Sequence, residues 1–300
     1  MERVIVTGGA GFIGSAICKY LQSNAEVFVI DNLSFGSRQF IEIDDTHFFN
    51  EDILNYQALK KVVEQVKPQV VIHLAAIHFI PYCNAHPFEA AQVNIQGTIN
   101  VLEAIKPFAK QVLFASTAAV YPIAEGALAE TGLTGPMDIY GLSKLAGEHL
   151  CQGFYAQTGI NTIVARFFNA FGPNETNPHL IPEIQNQILQ GHRTISLGNL
   201  EPKRDFIHTY DMAVAVSCML QKLTTGIHTI NLGSGVEYAV TEIVDAFSRQ
   251  LGEEIKINID PNRIRKVERM HLLADVTKLK ALGWQHTVSI DAGIKTLLQN

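Results

Sequence analysis

Positive charge, metal-ligand spacing and long apolar runs are all scarce in this 300-residue sequence. Lys and Arg number 23 against 29 Asp and Glu, a net charge of −6, which argues against nucleic acid or an anionic membrane as the main partner. A phosphate-bearing ligand must therefore be held by donors placed for it. The 11 His show no His-Glu-x-x-His or other ligand spacing, so no metal site is expected. Cys18, Cys83, Cys151 and Cys218 are scattered without a Cys-x-x-Cys pair and read as buried thiols of a reducing compartment. No apolar run reaches membrane-spanning length, and no basic stretch followed by a long apolar segment opens the chain, so a cytoplasmic location is expected. Repeats, low-complexity tracts and flexible linkers are missing too. With 47% hydrophobic and 17% charged residues, the chain reads as one globular domain with an appended lobe.

What is present starts at the N-terminus. Arg3 to Val6 is a short, β-branched, largely apolar run, and Thr7 to Gly11 cannot comfortably continue a strand. Phe12 to Leu21 then repeats apolar residues at helical spacing. The order is strand, glycine turn, helix. Gly8, Gly11 and Gly14, with Phe12 and Ile13 between them, form a G-x-x-G-x-x-G variant of the dinucleotide fingerprint. Such a turn brings the backbone close to a pyrophosphate and offers it a helix N-terminus. Glu26 to Asp31 is a second strand that ends in an acid. A carboxylate there accepts hydrogen bonds from an adenosine ribose and repels a 2′-phosphate, so the cofactor reads as NAD, with Arg38 the one nearby cation able to upset that choice.

Strands and helices alternate through the first half. Strands are expected near 46–50, 69–75, 111–115 and 162–166, and helices over 58–66, 88–109 and 140–158. The pattern predicts right-handed crossovers and an α/β, doubly wound parallel (Rossmann) sheet. After Asn169 the chain breaks into Pro- and Gly-punctuated pieces, with helices over 181–190, 211–223 and 241–251 and strands over 194–197, 226–232 and 255–259. Thr241 is the expected N-cap of its helix. We read 1–168 as the cofactor-binding domain, with 206–232 returning to it. The remainder, 169–205 and 233–300, forms a smaller α/β substrate-binding lobe on the C-terminal side, facing the strands' carboxyl ends.

The chemistry gathers in Ser116-Thr117 at a strand end and Tyr140-Gly-Leu-Ser-Lys144 at a helix start. Tyr140 and Lys144 stand at i and i+4 and share a helix face. A cationic neighbour and a positively charged nicotinamide both favour a phenolate, which makes Tyr140 a base for an alcohol whose hydride leaves for NAD. The Thr117 hydroxyl can hold the same oxygen.

With these motifs in hand, the chain resembles the extended short-chain dehydrogenase/reductase superfamily, and within it the NAD-dependent sugar-nucleotide epimerases and dehydratases. The resemblance runs from Val4 to about Trp284 through Thr7-Gly-Gly-Ala-Gly-Phe-Ile-Gly14, Asp31-Asn-Leu-Ser34, Asp52-Ile53, His73-Leu-Ala-Ala76, Asn94-Ile-Gln-Gly97, Tyr140-Gly-Leu-Ser-Lys144, Arg166-Phe-Phe-Asn-Ala-Phe-Gly-Pro173 and Arg204-Asp-Phe-Ile-His208. It implies that Asp31 and Asn32 meet the adenine ribose and Asp52 and Ile53 the adenine. It further implies that Leu74, Ala75, Ala76, His78, Asn94, Ser116 and Phe167 line the cofactor. Thr117, Tyr140 and Lys144 are the implied catalytic set, with Lys144 also on the nicotinamide ribose. Asn169, Arg204 and Arg265 are implied at the nucleotide diphosphate and Leu180 beside the sugar nucleotide. Arg265 lacks the Pro-Gly-Asp usual after it, which leaves Arg263 and Arg269 as alternatives. The partner implied is a nucleotide sugar, a UDP-sugar first, and the family implies a homodimer through helices near 90–109 and 140–158, with Val101, Leu102, Ile105, Leu145, Leu150 and Phe154 compatible with it.

Two departures bear on the reaction. The family's 4,6-dehydratases follow the Thr with Asp-Glu, and here Ala118 and Ala119 stand instead. That leaves oxidation and re-reduction at one carbon, as in a 4-epimerase. The alternatives are an atypical dehydratase, a 4-keto sugar-nucleotide reductase, or a non-catalytic NAD-binding regulator. His78 to Cys83 carries two aromatics and a thiol after the strand facing the nicotinamide, so Tyr82 or Cys83 is expected to touch the sugar, with Glu125 a weaker candidate.

Overall fold

The structure, a computed structural model, describes residues 2–264 and 269–299. In the first half, β1 (Arg3–Thr7) leads to α1 (Phe12–Leu21), β2 (Glu26–Ile30), β3 (Phe48–Phe49), α2 (Tyr56–Val66) and β4 (Val70–His73). Helices α3 (Ile80–Ala85) and α4 (Pro87–Ala91) precede a π-helical turn, Gln92–Gln96, and α5 (Gly97–Ile105). Next come β5 (Gln111–Thr117), β6 (Ala127–Leu128), α6 (Ile139–Thr158), β7 (Asn161–Phe167), β8 (Asn169–Phe171), α7 (Leu180–Leu189) and β9 (Thr194–Leu197). The chain continues through β10 (Lys203–His208), α8 (Thr209–Lys222), β11 (Ile227–Leu232), β12 (Glu237–Ala239) and α9 (Val240–Leu251). It closes with β13 (Lys256–Ile259), β14 (Leu273–Ala274), α10 (Thr277–Ala281) and α11 (Ile290–Leu298).

Seven parallel strands form the central sheet in the order β11-β7-β5-β4-β1-β2-β3. The order reverses between β1 and β4, which opens a crevice beyond their carboxyl ends. The strands read as unbroken apolar runs because both faces are covered. Val4, Val6, Val27, Val29 and Ile72 pack on the side of α1 and α8. Ile5, Phe28, Ile30, Val71, Phe114 and Val164 pack on the side of α2, α5 and α6. A separate core joins Phe171, Ile184, Ile195, Phe206, Ile243, Phe247 and Ile294, where β8, β10 and β12 form a small sheet and β9 pairs with β13.

Differences from expectation have local causes. The strand Lys203–His208 runs through the boundary expected at 206, because Phe206 to His208 pair with Asn169 to Phe171 of β8. Helix α9 starts at Val240, so Thr241 is inside it, and the Ala239 N–H is taken by the Glu242 carboxylate at 2.7 Å. Residues 80–85 are helical, not loop, with Pro81 in the first turn where its missing N–H costs nothing. Val101, Leu102, Ile105 and Phe154 are buried in the chain's own core and offer no outward face. Among the described residues, no helix is long and apolar enough to cross a membrane.

Candidate active site

A cavity of about 1630 Å3 opens over the carboxyl ends of the central strands and continues between them and the smaller core. Of the candidate site residues named from the sequence that the structure describes, all but Asn94, Cys83 and Glu125 border it. Arg265 lies outside the described residues.

On the cofactor side, Gly8 sits at φ 71° and its carbonyl receives the Gly11 N–H. A Cβ on Gly14 would lie 2.1 Å from that same Gly8 oxygen, so α1 rests directly on the turn. No side chain caps the first N–H groups of α1, and no acid sits in its first turn, which leaves that end free to receive phosphate. Asp31 is buried, which raises its pKa, and its two oxygens take the N–H groups of Ala10 and Leu33 at 3.0 and 2.8 Å while bordering the cavity. Asn32 donates to Asp52 at 2.9 Å, joining the ends of β2 and β3. Arg38 is turned away onto the carbonyls of Ile41 and Ile43, the Asp45 carboxylate and the Phe48 ring, so no cation displaces the ribose-reading acid. These residues fit NAD. Gly14→Ala is expected to lower NAD affinity at least about tenfold, because the turn has no room to give; nucleotide released on denaturing the purified variant measures it.

At the reacting end, Thr117 terminates β5 and its hydroxyl oxygen takes the Ala119 N–H at 3.1 Å. Helix α6 begins one residue before Tyr140, capped by Asp138, whose carboxylate accepts the Gly141 N–H at 2.8 Å. Tyr140 and Lys144 thus project from the first two turns into the cavity. Burial brings the Lys144 amine down to about 8, and its nitrogen lies 4.9 Å from the Phe114 ring centre. Burial also dominates Tyr140 and pushes its phenol up; the Thr117 hydroxyl pulls it down, and Cys83 and Asp138 push it up. The lowering expected from Lys144 is therefore not what sets the phenol in the ligand-free protein. Ala118 and Ala119 put methyl groups beside Thr117 at the cavity wall.

Four side chains are committed differently from expectation. Ser116 borders the cavity, but its hydroxyl donates to the buried Glu148 carboxylate at 2.5 Å. Asn94 bridges the N–H and C=O of Ile77 and the Ser143 hydroxyl at 2.8 to 2.9 Å, so its amide is spent holding the wall. Cys83 faces inward from α3, gives its thiol to the Ile77 carbonyl, packs in the cluster against Tyr140, and is pushed up to about 11 by burial. Glu125 is exposed and away from the cavity. Tyr82 does border the cavity, with its hydroxyl on Glu89 and its ring edge-on to Phe35 at 5.7 Å. Cys83→Ala is expected to keep turnover within about twofold and lose about 1 kcal/mol of stability to the small void; initial rates and chemical denaturation check both.

On the lobe side, Asn169, Leu180 and Arg204 border the cavity with Arg263 and Arg269. Arg204 donates to the carbonyls of Lys203 and Arg269 at 2.8 Å. Arg269 donates to those of Tyr121 and Pro122, and Arg263 pairs with Glu183 at 2.7 Å. The segment 173–179 had no signal in periodicity, yet it supplies Glu175, Thr176 and His179 to the cavity. It is fastened at three points to the cofactor side, each at 3.2 Å: Asn174 to the Ser15 hydroxyl, Thr176 to the Phe35 carbonyl, and Asn177 to the His78 ring. His179 pairs with Glu175 at 3.2 Å. Burial holds His78 down to about 4, with His179 acting the same way and Glu175 against it.

Comparison with known proteins agrees with this geometry. Residues 4–233 match the family described as NAD dependent epimerase/dehydratase family. The chain is 31% identical to the UDP-glucose 4-epimerase of Bacillus subtilis, covering 94% of this chain and 91% of that one. It is equally, 31%, identical to the GDP-6-deoxy-D-talose 4-dehydrogenase of Aggregatibacter actinomycetemcomitans, covering 92% and 90%. The crystal structure of Thermus thermophilus UDP-glucose 4-epimerase in complex with NAD superposes with a TM-score of 0.90 at 28% identity, covering 99% of this chain and 98% of that one. This chain is an enzyme of the NAD dependent epimerase/dehydratase family, and NAD is its cofactor.

Proposed function

We propose that this chain is a 4-epimerase of nucleotide sugars, UDP-sugars first, working through a transient 4-keto sugar with NAD retained between turnovers. The observation that carries the reading is the convergence of Thr117, Tyr140 and Lys144 on one end of the cavity, beside methyl groups where an eliminating acid–base pair would have to stand. Tyr140 accepts the 4-hydroxyl proton at its phenol oxygen, and Thr117 hydrogen-bonds the same sugar oxygen. Lys144 holds the nicotinamide ribose. Bound NAD supplies the acceptor and donor of the C4 hydride and a positive ring charge that favours the phenolate. Asp31, Asn32, Asp52 and Ile53 hold the adenosine end, and the guanidinium groups of Arg204, Arg263 and Arg269 are the diphosphate donors that an acidic protein must place individually. After oxidation, the sugar turns and Tyr140 returns the proton on re-reduction. The pairing of two chains belongs to the same proposal, supported by exposed Phe88 and Leu142 on the adjacent helices α4 and α6.

A second reading, a 4-keto sugar-nucleotide reductase, is favoured by the dehydrogenase relative and uses the same three side chains. Incubation of the purified protein without added cofactor against UDP-, GDP-, dTDP- and CDP-sugars separates the readings, with products read by mass spectrometry and proton NMR. Unchanged mass with inverted C4 supports the epimerase. Loss of one water makes it a dehydratase, and conversion only when NADH or NADPH accompanies a keto sugar makes it a reductase.

A further inference from the structure

Beneath the reacting end lies a buried polar group that the proposed chemistry does not use. Tyr140, Lys144 and Glu148 follow one another at four-residue spacing on α6, so all three face the sheet. Glu148 points down onto Ser116 of β5 and Arg166 of β7, which are register partners on adjacent strands. Arg166 grips the carboxylate with two bonds, Nε to Oε1 at 2.9 Å and Nη2 to Oε2 at 2.7 Å, and Ser116 adds a third at 2.5 Å. The two charged side chains are 7% and 4% exposed. Arg166 also lies 4.7 Å from the ring centre of Tyr121, whose hydroxyl donates to Asn231 at 2.6 Å. Close by, a Cβ on Gly147 would meet the Phe114 ring at 2.3 Å, so α6 sits flush on β5 at this level.

Burying an ion pair is a poor way to gain stability, since desolvation consumes most of the attraction and apolar side chains of like volume do as well or better. What a three-donor carboxylate adds to the apolar contact is direction, since its bonds to Ser116 and Arg166 are satisfied in one orientation of α6 on the sheet. The residue it fixes on β5, Ser116, is the immediate neighbour of Thr117, and the helix it fixes carries Tyr140 and Lys144. We propose that Glu148, with Arg166 and Ser116, is the positioning device of this active site, setting the Tyr140 helix against the Thr117 strand. The inference rests on Tyr140 being the base.

The decisive variant is Glu148→Leu with Arg166→Met, which removes both charges together and keeps the volume. With UDP-glucose as first probe, or the nucleotide sugar that the panel shows to be converted, kcat falls at least about tenfold while KM stays within about threefold, the signature of misplaced groups and not of lost binding. The variant remains folded with the parent's NAD content. Its amide hydrogens over 139–147 exchange at least about tenfold faster, a readout independent of turnover. Unchanged exchange together with kcat within about twofold of the parent overturns the inference. Should the double variant fail to fold, Glu148→Gln decides: kcat falls about threefold or more with KM unchanged, or the inference is lost. Tyr140→Phe run alongside keeps the two ideas apart. An active Tyr140→Phe removes the base itself, whereas an inactive one beside a fully active double variant removes only the positioning role.

Discussion

Replacing Tyr140 with Phe leaves a folded protein that still holds NAD and loses at least about a hundredfold in turnover, the scale of a missing acid–base group. The ring keeps its place against the cluster of Ile77, Cys83 and Ala90, and only the phenol oxygen goes. In the ligand-free protein burial pushes that phenol up, so the hydroxyl carries a proton the reaction must first remove. Phe avoids this desolvation, and the variant is expected to be no less stable than the parent. Initial rates and NAD released on denaturation test both halves. A variant with near-parental turnover would assign the proton transfer to another group, and Thr117 would be the first examined.

Lys144→Met is expected to abolish turnover by about a hundredfold or more and, at the same time, to stabilise the ligand-free fold near neutral pH. Lys144 is 3% exposed as a whole residue and its pKa is brought from 10.5 down to about 8, chiefly by burial. That displacement corresponds to a folding cost on the order of 3 kcal/mol. The sign follows from proton counts. Below about 8 both the folded and unfolded chains carry the cation, and the full cost of burying it is present. Between about 8 and 10.5 the folded chain has released the proton and the unfolded chain has not, so stability rises with pH; above that window the cost is gone. Met has no such dependence. The variant's advantage in melting temperature should thus be largest at pH 7 and shrink as pH passes 8 towards 10.5. No gain at pH 7 would show that Lys144 is not held at a cost. A gain with no loss of turnover would remove it from the chemistry.

Much of this site was legible in the residues because it is built from local patterns. The turn at Gly8 to Gly14 and the acid at the end of β2 are neighbours in the chain as in space, and Tyr140 and Lys144 are joined by one helical turn. The strands of the central sheet announce themselves as apolar runs since helices cover both faces. What escaped was decided by long-range bonds or by short elements. Cys83 looked available beside two aromatics, but a six-residue helix rotates it inward, and so short a helix leaves no periodicity to read. Asn94 carries a family motif, yet its amide is used up on Ile77 and Ser143, the latter 49 positions away. Ser116 was read with Thr117, although strand alternation sends neighbours to opposite faces and gives this one to Glu148. Residues 173–179, rich in Asn and Pro, say nothing of their three distant partners.

That last segment has a consequence for how such an enzyme is coupled to its surroundings. Its three hydrogen bonds tie it to α1, to the loop after β2 and to the stretch after β4, three pieces of chain that line the cavity on its glycine-turn side. Bonds of this kind, part-buried or exposed, are each worth only about 1 kcal/mol, but together they hold the segment to the cofactor side, and a dinucleotide exchanging by way of this segment would have to open all three. An epimerase returns its hydride before the product leaves and can keep this clasp shut for as many cycles as it likes, so its rate is indifferent to the ratio of oxidised to reduced nicotinamide outside. A reductase on the same frame would have to undo the clasp once per molecule of product, and its speed would follow the external pool.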